Sequence, residues 1–363
     1  MPNLIKHSIQ LILAHQAPTG AYVASPSFDT YAYSWFRDSS FIVHAMDRAG
    51  QYPSAAQFHR WAGGVLARYT PKIEQLIGRQ QAGETIALHE QMHTRFMLDG
   101  LESSANWTNF QLDGYGTWLW ALADHLRRTG DAALYAELRP QIALLARYLE
   151  AFWLAPCYDC WEEFGDKIHT ATLAALYGGL RAIGEYDPTL ETHALADQIR
   201  TFVLANCVSN GHLIKFIGNP AVDASLIGAA TPYRLLPADD PRMTVTIAKI
   251  EADLRRGGIC RYLDDTYYGG GAWLLLTAWL GWYYAEAGNH ARAAELRDWV
   301  AAQATGDDAL PEQVSHDLLA PDHYQGWVER WGAIASPLLW SHAMYLILED
   351  ALTVAQPEGA AAQ

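Results

Sequence analysis

The segment Leu134-Tyr-Ala-Glu-Leu138-Arg-Pro-Gln-Ile142-Ala-Leu-Leu145-Ala-Arg-Tyr-Leu149-Glu-Ala-Phe152 repeats apolar residues at intervals of three and four. This spacing places them on one face of an α-helix, with Pro140 as a predicted local bend. The same periodicity recurs at about 3–15, 38–49, 53–78, 117–128, 168–185, 192–206, 241–256, 272–287, 290–304 and 337–354. Alternating strand patterns are scarce, and 212–216 is the best candidate for a short strand. The chain is therefore predicted to be all-α.

The linkers between these helices are of two kinds. One kind is short and polar, as at 128–130 and 286–289. The other kind is long, aromatic and charged, and it occupies 31–38, 107–116, 157–167, 261–271 and 312–337, with a weaker example at 223–227. There are about eleven predicted helices, and the region of Ser225 can supply a twelfth. Because each long linker precedes one helix of a pair, we predict six helical hairpins closed into a ring, with the long loops gathered on one face.

Composition limits the class of protein. The chain has 363 residues, of which 50% are hydrophobic and 18% charged, and no obvious linker divides it. We therefore expect one domain over 1–355 and a disordered tail at 356–363. The net charge of −15 argues against nucleic acid or an anionic membrane as a partner, and no run approaches 18 apolar residues.

The expected location is the cytoplasm. The first sixteen residues lack the apolar core and small-residue cleavage site of a secretory signal. The four cysteines are too few for a disulfide scaffold, so free thiols are expected. The sequence leaves the oligomeric state open.

Several of the fourteen tryptophans lie in or beside the long linkers, among carboxylates, arginines and amides. A sugar ring requires this combination, because its C–H faces stack on aromatic rings and its hydroxyls need polar partners. A buried aromatic corner is the alternative for any single linker, but five similar linkers favour a sugar site. These tryptophans are Trp35, Trp107, Trp161, Trp273, Trp327 and Trp331.

Two acidic segments are candidates for glycosidic chemistry. Cleavage of a glycosidic bond needs one carboxyl group that protonates the leaving oxygen and another that attacks the sugar or activates water. Glu162 and Glu312 are the candidates. The adjacent Glu163 can raise the pKa of Glu162 by charge repulsion, although an exposed acidic pair on a loop has the same sequence.

Six segments, in order, resemble the glucoamylase-type glycoside hydrolases, family fifteen. They cover residues 31 to 341, and together they are much more specific than any one motif. The resemblance implies an (α/α)6 barrel, in agreement with the helix count. The segments are Tyr31–Asp38, Trp107 with Asp113-Gly114, Asp159–Glu163, Arg261–Trp273, Glu312-Gln313 and Pro337–Ser341.

The resemblance also implies roles for individual residues. Glu162 would be the general acid and Glu312 the base that activates water. Glu163 would hold a hydroxyl on the leaving side, and Tyr31 would stand near the anomeric carbon. The substrate-binding residues would further comprise the glucose clamp Arg37 and Asp38, and Trp35, Trp107, Trp161, Arg261, Tyr267, Trp273 and Gln313.

The implied reaction is a single displacement that releases β-glucose from the non-reducing end of an α-glucoside. Inverting enzymes hold the two carboxyl groups roughly 6.5–9.5 Å apart, which leaves room for the water. The substrate would be a short oligosaccharide, with α-1,6 linkages favoured and α-1,4 next. A trehalase of the same family is the alternative. No metal or cofactor is expected.

Rival interpretations rest on isolated motifs. The segment His89-Glu90-Gln-Met-His93 matches the HExxH pattern of zinc proteases, if it is helical, but no third histidine follows at the expected spacing. The CxxC of Cys157 and Cys160 has no second pair, so buried thiols are favoured over a redox or zinc role. A non-catalytic carbohydrate-binding protein would keep the tryptophans and lose a carboxylate, whereas an aromatic scaffold protein would present a hydrophobic patch.

Overall fold

The computed structural model describes residues 2–354, so the tail predicted at 356–363 lies outside the described residues. The α-helices are α1 Pro2–Ala14, α2 Phe36–Arg48, α3 Tyr52–Arg68, α4 Thr70–Gln81, α5 Asp113–Thr129, α6 Ala132–Phe152, α7 Thr170–Tyr186, α8 His193–Asn206, α9 Pro241–Leu254, α10 Leu274–Glu286, α11 His290–Ala302, α12 Tyr324–Trp331 and α13 Leu339–Val354. Six two-residue strands form three antiparallel pairs: β1 Ser34–Trp35 with β2 Arg95–Phe96, β3 Val208–Ser209 with β4 His212–Leu213, and β5 Arg255–Arg256 with β6 Gly258–Ile259. No helix within 2–354 has the length and apolarity to cross a bilayer.

Six inner elements close into a ring. Helices α2, α5 and α7, the 3₁₀ helix Ala224–Ala229, α10 and α13 each pack on the next, and α13 packs back on α2. An outer layer supports them: α3 packs on α2, α6 on α5, α8 on α7, α9 on the 3₁₀ helix, α11 on α10 and α1 on α13. Six inner elements, each with one outer helix, make the (α/α)6 barrel that the linker pattern predicts.

Several boundaries differ from the sequence prediction. The helix predicted over 53–78 is two helices that meet at Tyr69, because the ring of Pro71 in the first turn of α4 cannot continue α3. Helix α6 runs through Pro140 without interruption. The predicted strand at 212–216 is only the two residues of β4. The fourth inner element is a six-residue 3₁₀ helix, and α12 was not predicted.

The inner helices are close-packed because they are apolar or small where they meet. Helix α10 buries Leu274–Tyr283, so that it is apolar around its whole circumference, as expected for a helix enclosed by others. Glycines let α5 and α7 approach: a Cβ at Gly179 would lie 2.1 Å from the carbonyl oxygen of Gly116. No larger residue fits at this crossing without moving one helix.

The chain direction places the functional loops together. Each inner helix is followed or preceded by an outer helix that returns the chain, so the inner elements start at the same face of the ring. The long aromatic linkers precede these starts, and their residues line one cavity. The N-terminal ends of inner helices carry partial positive charge, which favours acidic residues in their first turns, such as Asp38 in α2 and Asp113 in α5.

Candidate active site

The cavity at the starts of the inner helices has a volume of about 520 Å³. This lies within the range of roughly 300–1,000 Å³ that is typical of small-molecule sites. Both candidate carboxylates line it. So do twelve of the other residues that the sequence singles out: Tyr31, Trp35, Arg37, Asp38, Trp107, Trp161, Glu163, Arg261, Tyr267, Trp273, Trp327 and Trp331.

Glu312 is a deeply buried carboxyl group of the cavity, with 2% of its surface exposed. The Tyr31 hydroxyl donates to Glu312 Oε1 over 2.9 Å, and Glu312 Oε2 has no hydrogen-bond partner among residues 2–354. Burial raises the pKa of Glu312 to about 8, against the opposing hydrogen bond of Tyr31 and the charge of Arg261. Glu312 therefore offers one oxygen that is free of protein partners and a basicity well above that of an exposed glutamate.

Glu162 has different surroundings. Its Oε1 accepts hydrogen bonds from Trp35 Nε1 at 2.7 Å and from Gln111 Nε2 at 3.2 Å. The side chain of Glu163 has other partners, because Tyr262 Oη donates to it and Arg261 lies 3.8 Å away. The two adjacent glutamates are thus held by separate groups.

The loop that carries Glu162 has an unusual backbone. Glu162 and Phe164 have φ values of 69° and 51°, in the left-handed region that costs a non-glycine residue roughly 1 kcal/mol or more. Asp159 stabilises this turn, because its Oδ1 accepts from the backbone N–H groups of Trp161 and Glu163, both at 2.9 Å. Burial raises the pKa of Asp159 to about 7.

A buried lysine completes the support of this loop. Lys215 Nζ lies 2.9 Å from Asp223 Oδ2 and 3.9 Å from Asp159 Oδ2, and all three side chains are almost fully buried. Asp223 also accepts from Trp161 Nε1 at 3.0 Å. Lys215 therefore compensates two buried carboxylates that hold the residues on either side of Glu162.

Arg37 and Asp38 form a buried ion pair at the first turn of α2, with NH2 and Oδ2 3.2 Å apart. Gln111 Oε1 accepts from Arg37 NH1 at 2.7 Å, and Asp113 Oδ2 lies 3.3 Å from the same nitrogen. Burial raises the pKa of Asp38 to about 6, although Arg37 opposes this shift. Gln111 touches both the ion pair and Glu162, so it connects the predicted clamp to the predicted acid.

On the other side of the cavity, Arg261 is fixed by Asp265, which accepts from its Nε at 2.8 Å. The guanidinium carbon of Arg261 lies 5.1 Å from the ring centre of Tyr267 and 5.3 Å from that of Trp273. The Tyr267 hydroxyl is 2.7 Å from that of Tyr31, so a chain of two phenols leads to Glu312.

Aromatic rings form the walls. Trp107 stacks on Trp331 of α12, with ring centroids 5.7 Å apart and an interplanar angle of 27°. Trp161 and Trp273 meet at 5.5 Å. The buried guanidinium of Arg95 lies 4.5 Å from the ring centre of Trp107 and fixes that wall from behind. The exposed end of the cavity is thus set by α12 and the 106–108 loop.

Gln313 does not line the cavity. It is buried, and its Oε1 accepts from the backbone N–H of Gly271 at 3.0 Å, so it joins two loops behind the wall.

Sequence reasoning missed Gln111, Lys215 and Arg95. For Gln111 and Lys215 the only available signal was a polar or cationic residue between two apolar neighbours, and Arg95, between Thr94 and Phe96, lacked even that.

The rival motifs do not form sites. Only Leu88–Glu90 is helical in the HExxH segment, as a single 3₁₀ turn, so His89 and His93 do not share a helical face. Glu90 instead pairs with Arg79 at 2.8 Å. Cys157 and Cys160 are free thiols, and burial raises the pKa of Cys157 to about 12, which makes it unreactive.

Comparisons with known proteins all find glycoside hydrolases. Residues 3–328 match the family described as glycosyl hydrolases family 15. The chain is 43% identical to the isomaltose glucohydrolase of Kribbella flavida, over 98% of this chain and 94% of that protein. A trehalase of Mycolicibacterium smegmatis is 28% identical over 77% of this chain and 46% of its own. A solved wild-type glycosidase superposes with a TM-score of 0.93 at 42% identity, covering 97% of this chain and 96% of the other.

Proposed function

The chain belongs to the glycosyl hydrolases of family 15 and is a glycoside hydrolase, and from this premise we propose that it is an inverting, exo-acting α-glucosidase. The observation that carries the proposal is the placement of Glu162 and Glu312 in one cavity, each with different hydrogen-bond partners. The preferred substrates are isomaltose and short isomalto-oligosaccharides, as the 43% identity to an isomaltose glucohydrolase supports. The free cysteines are consistent with our proposal of a cytoplasmic enzyme.

Exo action follows from the gradient of burial along the cavity. The clamp of Arg37 and Asp38 is buried, with 6% and 7% of each residue exposed, and it suits the hydroxyls of one terminal glucose. At the other end, Arg330 of α12 is exposed, and Trp327 and Trp331 are half-buried. A glucose unit that is bound in the buried end therefore has its glycosidic oxygen directed to the open end.

In the proposed mechanism, Glu162 protonates the glycosidic oxygen as the bond breaks. Glu312, in its ionised form, takes a proton from the water that attacks the anomeric carbon from the opposite side. Tyr31 orients the Glu312 carboxylate through its hydrogen bond, and Tyr267 holds Tyr31 in turn. General acid and base assistance each contribute on the order of 10²–10⁴-fold.

The proposal is tested by the anomer that is formed first. The protein is mixed with isomaltose, maltose and trehalose in parallel, and the anomeric protons are followed by NMR within minutes. We expect early β-glucose, fastest from isomaltose. Early α-glucose would overturn the inverting mechanism and recast Glu312 as a nucleophile. No glucose from any of the three would favour the binding-protein alternative.

The residue assignment is tested with Glu162→Gln and Glu312→Gln. Each variant should lose more than about a hundredfold in kcat with an unchanged circular dichroism spectrum. α-Glucosyl fluoride separates the two roles, because fluoride leaves without a proton. It should restore turnover to Glu162→Gln and not to Glu312→Gln. Equal recovery of both variants would refute the assignment.

A trehalase is the second candidate, and the 28% identity to a trehalase is the observation that favours it. Inversion at one ring of trehalose releases α- and β-glucose in equal amounts. Trehalose cleavage faster than that of isomaltose, with this product ratio, would replace the proposed substrate but keep the mechanism.

A further inference from the structure

A cluster of two histidines and one aspartate lies inside the barrel wall, away from the cavity. Asp47 is at the end of α2, His59 in the middle of α3 and His125 near the end of α5. All three are buried, and each offers a nitrogen or oxygen within 4.8 Å of the ligand atoms of the other two. His125 Nδ1 lies 2.7 Å from Asp47 Oδ1, so these two side chains are already in contact.

The cluster contains polar atoms without partners. Both ring nitrogens of His59, and Asp47 Oδ2, make no hydrogen bond to any residue of 2–354, although His59 is completely buried. A buried polar group without a partner is costly, so three such atoms at one place indicate a missing interaction.

We propose that Asp47, His59 and His125 bind one divalent transition metal ion, for which zinc is the natural probe. Two imidazoles and a carboxylate are a zinc-type ligand set, whereas magnesium and calcium prefer oxygen ligands alone. Zinc ligands at about 2.0–2.1 Å in a tetrahedron lie roughly 3.3 Å from one another, so small side-chain rotations bring the cluster to binding distance. Asp124, next along the helix to His125, is engaged elsewhere, because its Oδ2 lies 3.0 Å from His44 and 2.7 Å from Arg128.

The ion would be structural. Asp47 lies nine residues after Asp38 on α2, which at 1.5 Å per residue separates it from the sugar clamp by about 14 Å. His125 is about 18 Å along α5 from Asp113 by the same measure. The site therefore cross-links α2, α3 and α5 at the end of the barrel remote from the cavity, and it is independent of the proposed hydrolytic mechanism.

The test uses the whole, tag-free chain. It is refolded from urea with and without zinc, freed of loose metal by gel filtration, and analysed for bound zinc. We expect one zinc per chain and a rise in Tm of roughly 3–5 °C over the metal-free protein. Cobalt in place of zinc should give the visible absorption of a tetrahedral nitrogen–oxygen site. Turnover per folded molecule should be the same with and without metal.

Variants locate the ion. His59→Gln and Asp47→Asn should each lose the bound zinc, whereas the exposed control His89→Gln should keep it. Retention of zinc by His59→Gln would place the ion elsewhere and overturn the proposal. A wild-type chain without bound zinc after refolding would overturn it too, whether or not the variants fold.

Discussion

The hydrogen bond from Tyr31 to Glu312 makes a quantitative prediction about pH dependence. The Glu312 carboxylate must be ionised to act as a base, so kcat/KM rises as pH increases through its pKa, which burial places at about 8. Tyr31→Phe removes the donor at 2.9 Å from Oε1, which stabilises the ionised form. A hydrogen bond to a charged group contributes roughly 1.5–3 kcal/mol, and 1.36 kcal/mol corresponds to one pKa unit. The Tyr267 hydroxyl remains nearby and offsets part of the loss.

We therefore expect the rising limb of kcat/KM for isomaltose to move upward by about one pH unit in Tyr31→Phe. The assay is glucose release at low substrate concentration, from about pH 4 to pH 10. Tyr33→Phe is the matched control, because its hydroxyl lies 3.4 Å from Ser103 and does not contact Glu312. An unchanged limb in Tyr31→Phe, a downward shift, or an equal shift in the control would refute this account of Glu312.

Three further predictions concern stability and positioning. Lys215→Met should lower kcat on the order of 10–100-fold, with a smaller change in KM. Without the lysine, the buried carboxylates of Asp159 and Asp223 lose their countercharge, and the loop that carries Glu162 is held less firmly. An unchanged kcat would contradict this role. Glu312→Gln should raise Tm at pH 8 and leave it unchanged at pH 4: the native state binds the Glu312 proton more tightly than the unfolded state, so stability falls as pH rises through this interval. Gly179→Ala should destabilise by roughly 1–3 kcal/mol in urea, because its Cβ would lie 2.1 Å from Gly116 O, whereas the exposed control Gly64→Ala, with nothing within 4 Å, should stabilise.

The barrel was predictable because its determinants are local. Apolar spacing of three and four identifies a helix within one segment, and the alternation of linker types gives the pairing of helices. The effect of a proline on a helix is harder to predict. Pro71 separates α3 from α4, whereas Pro140 lies inside α6 without interrupting it. The 3₁₀ helix Ala224–Ala229 is too short to show a helical periodicity in the sequence. Only the folded ring shows that it is the inner element between α7 and α10.

The cavity was predictable only in part, because its electrostatics depend on residues that are distant in sequence. Glu162 and Glu163 suggested mutual repulsion, but Trp35 and Tyr262 separate their environments. Burial raises the pKa of Glu312 to about 8, and nothing in the neighbouring sequence indicates that burial. Lys215 contacts Asp159, in the loop that carries Glu162, although the two are more than fifty residues apart in sequence. Its role is therefore visible only in the folded chain.

Closure of the ring depends on its last helix. Helix α13 packs on both α10 and α2, and the backbone N–H of Leu339 donates to the carbonyl of Ala24 at 3.0 Å. During synthesis, α2 therefore stays without one of its two ring neighbours until almost the whole described chain has left the ribosome, and its apolar face is exposed for that time. Contacts of such long sequence separation slow folding and favour aggregation. A chain interrupted before α13 would carry every proposed catalytic residue and still lack a closed cavity, so activity reports on completion of the ring as well as on its chemistry.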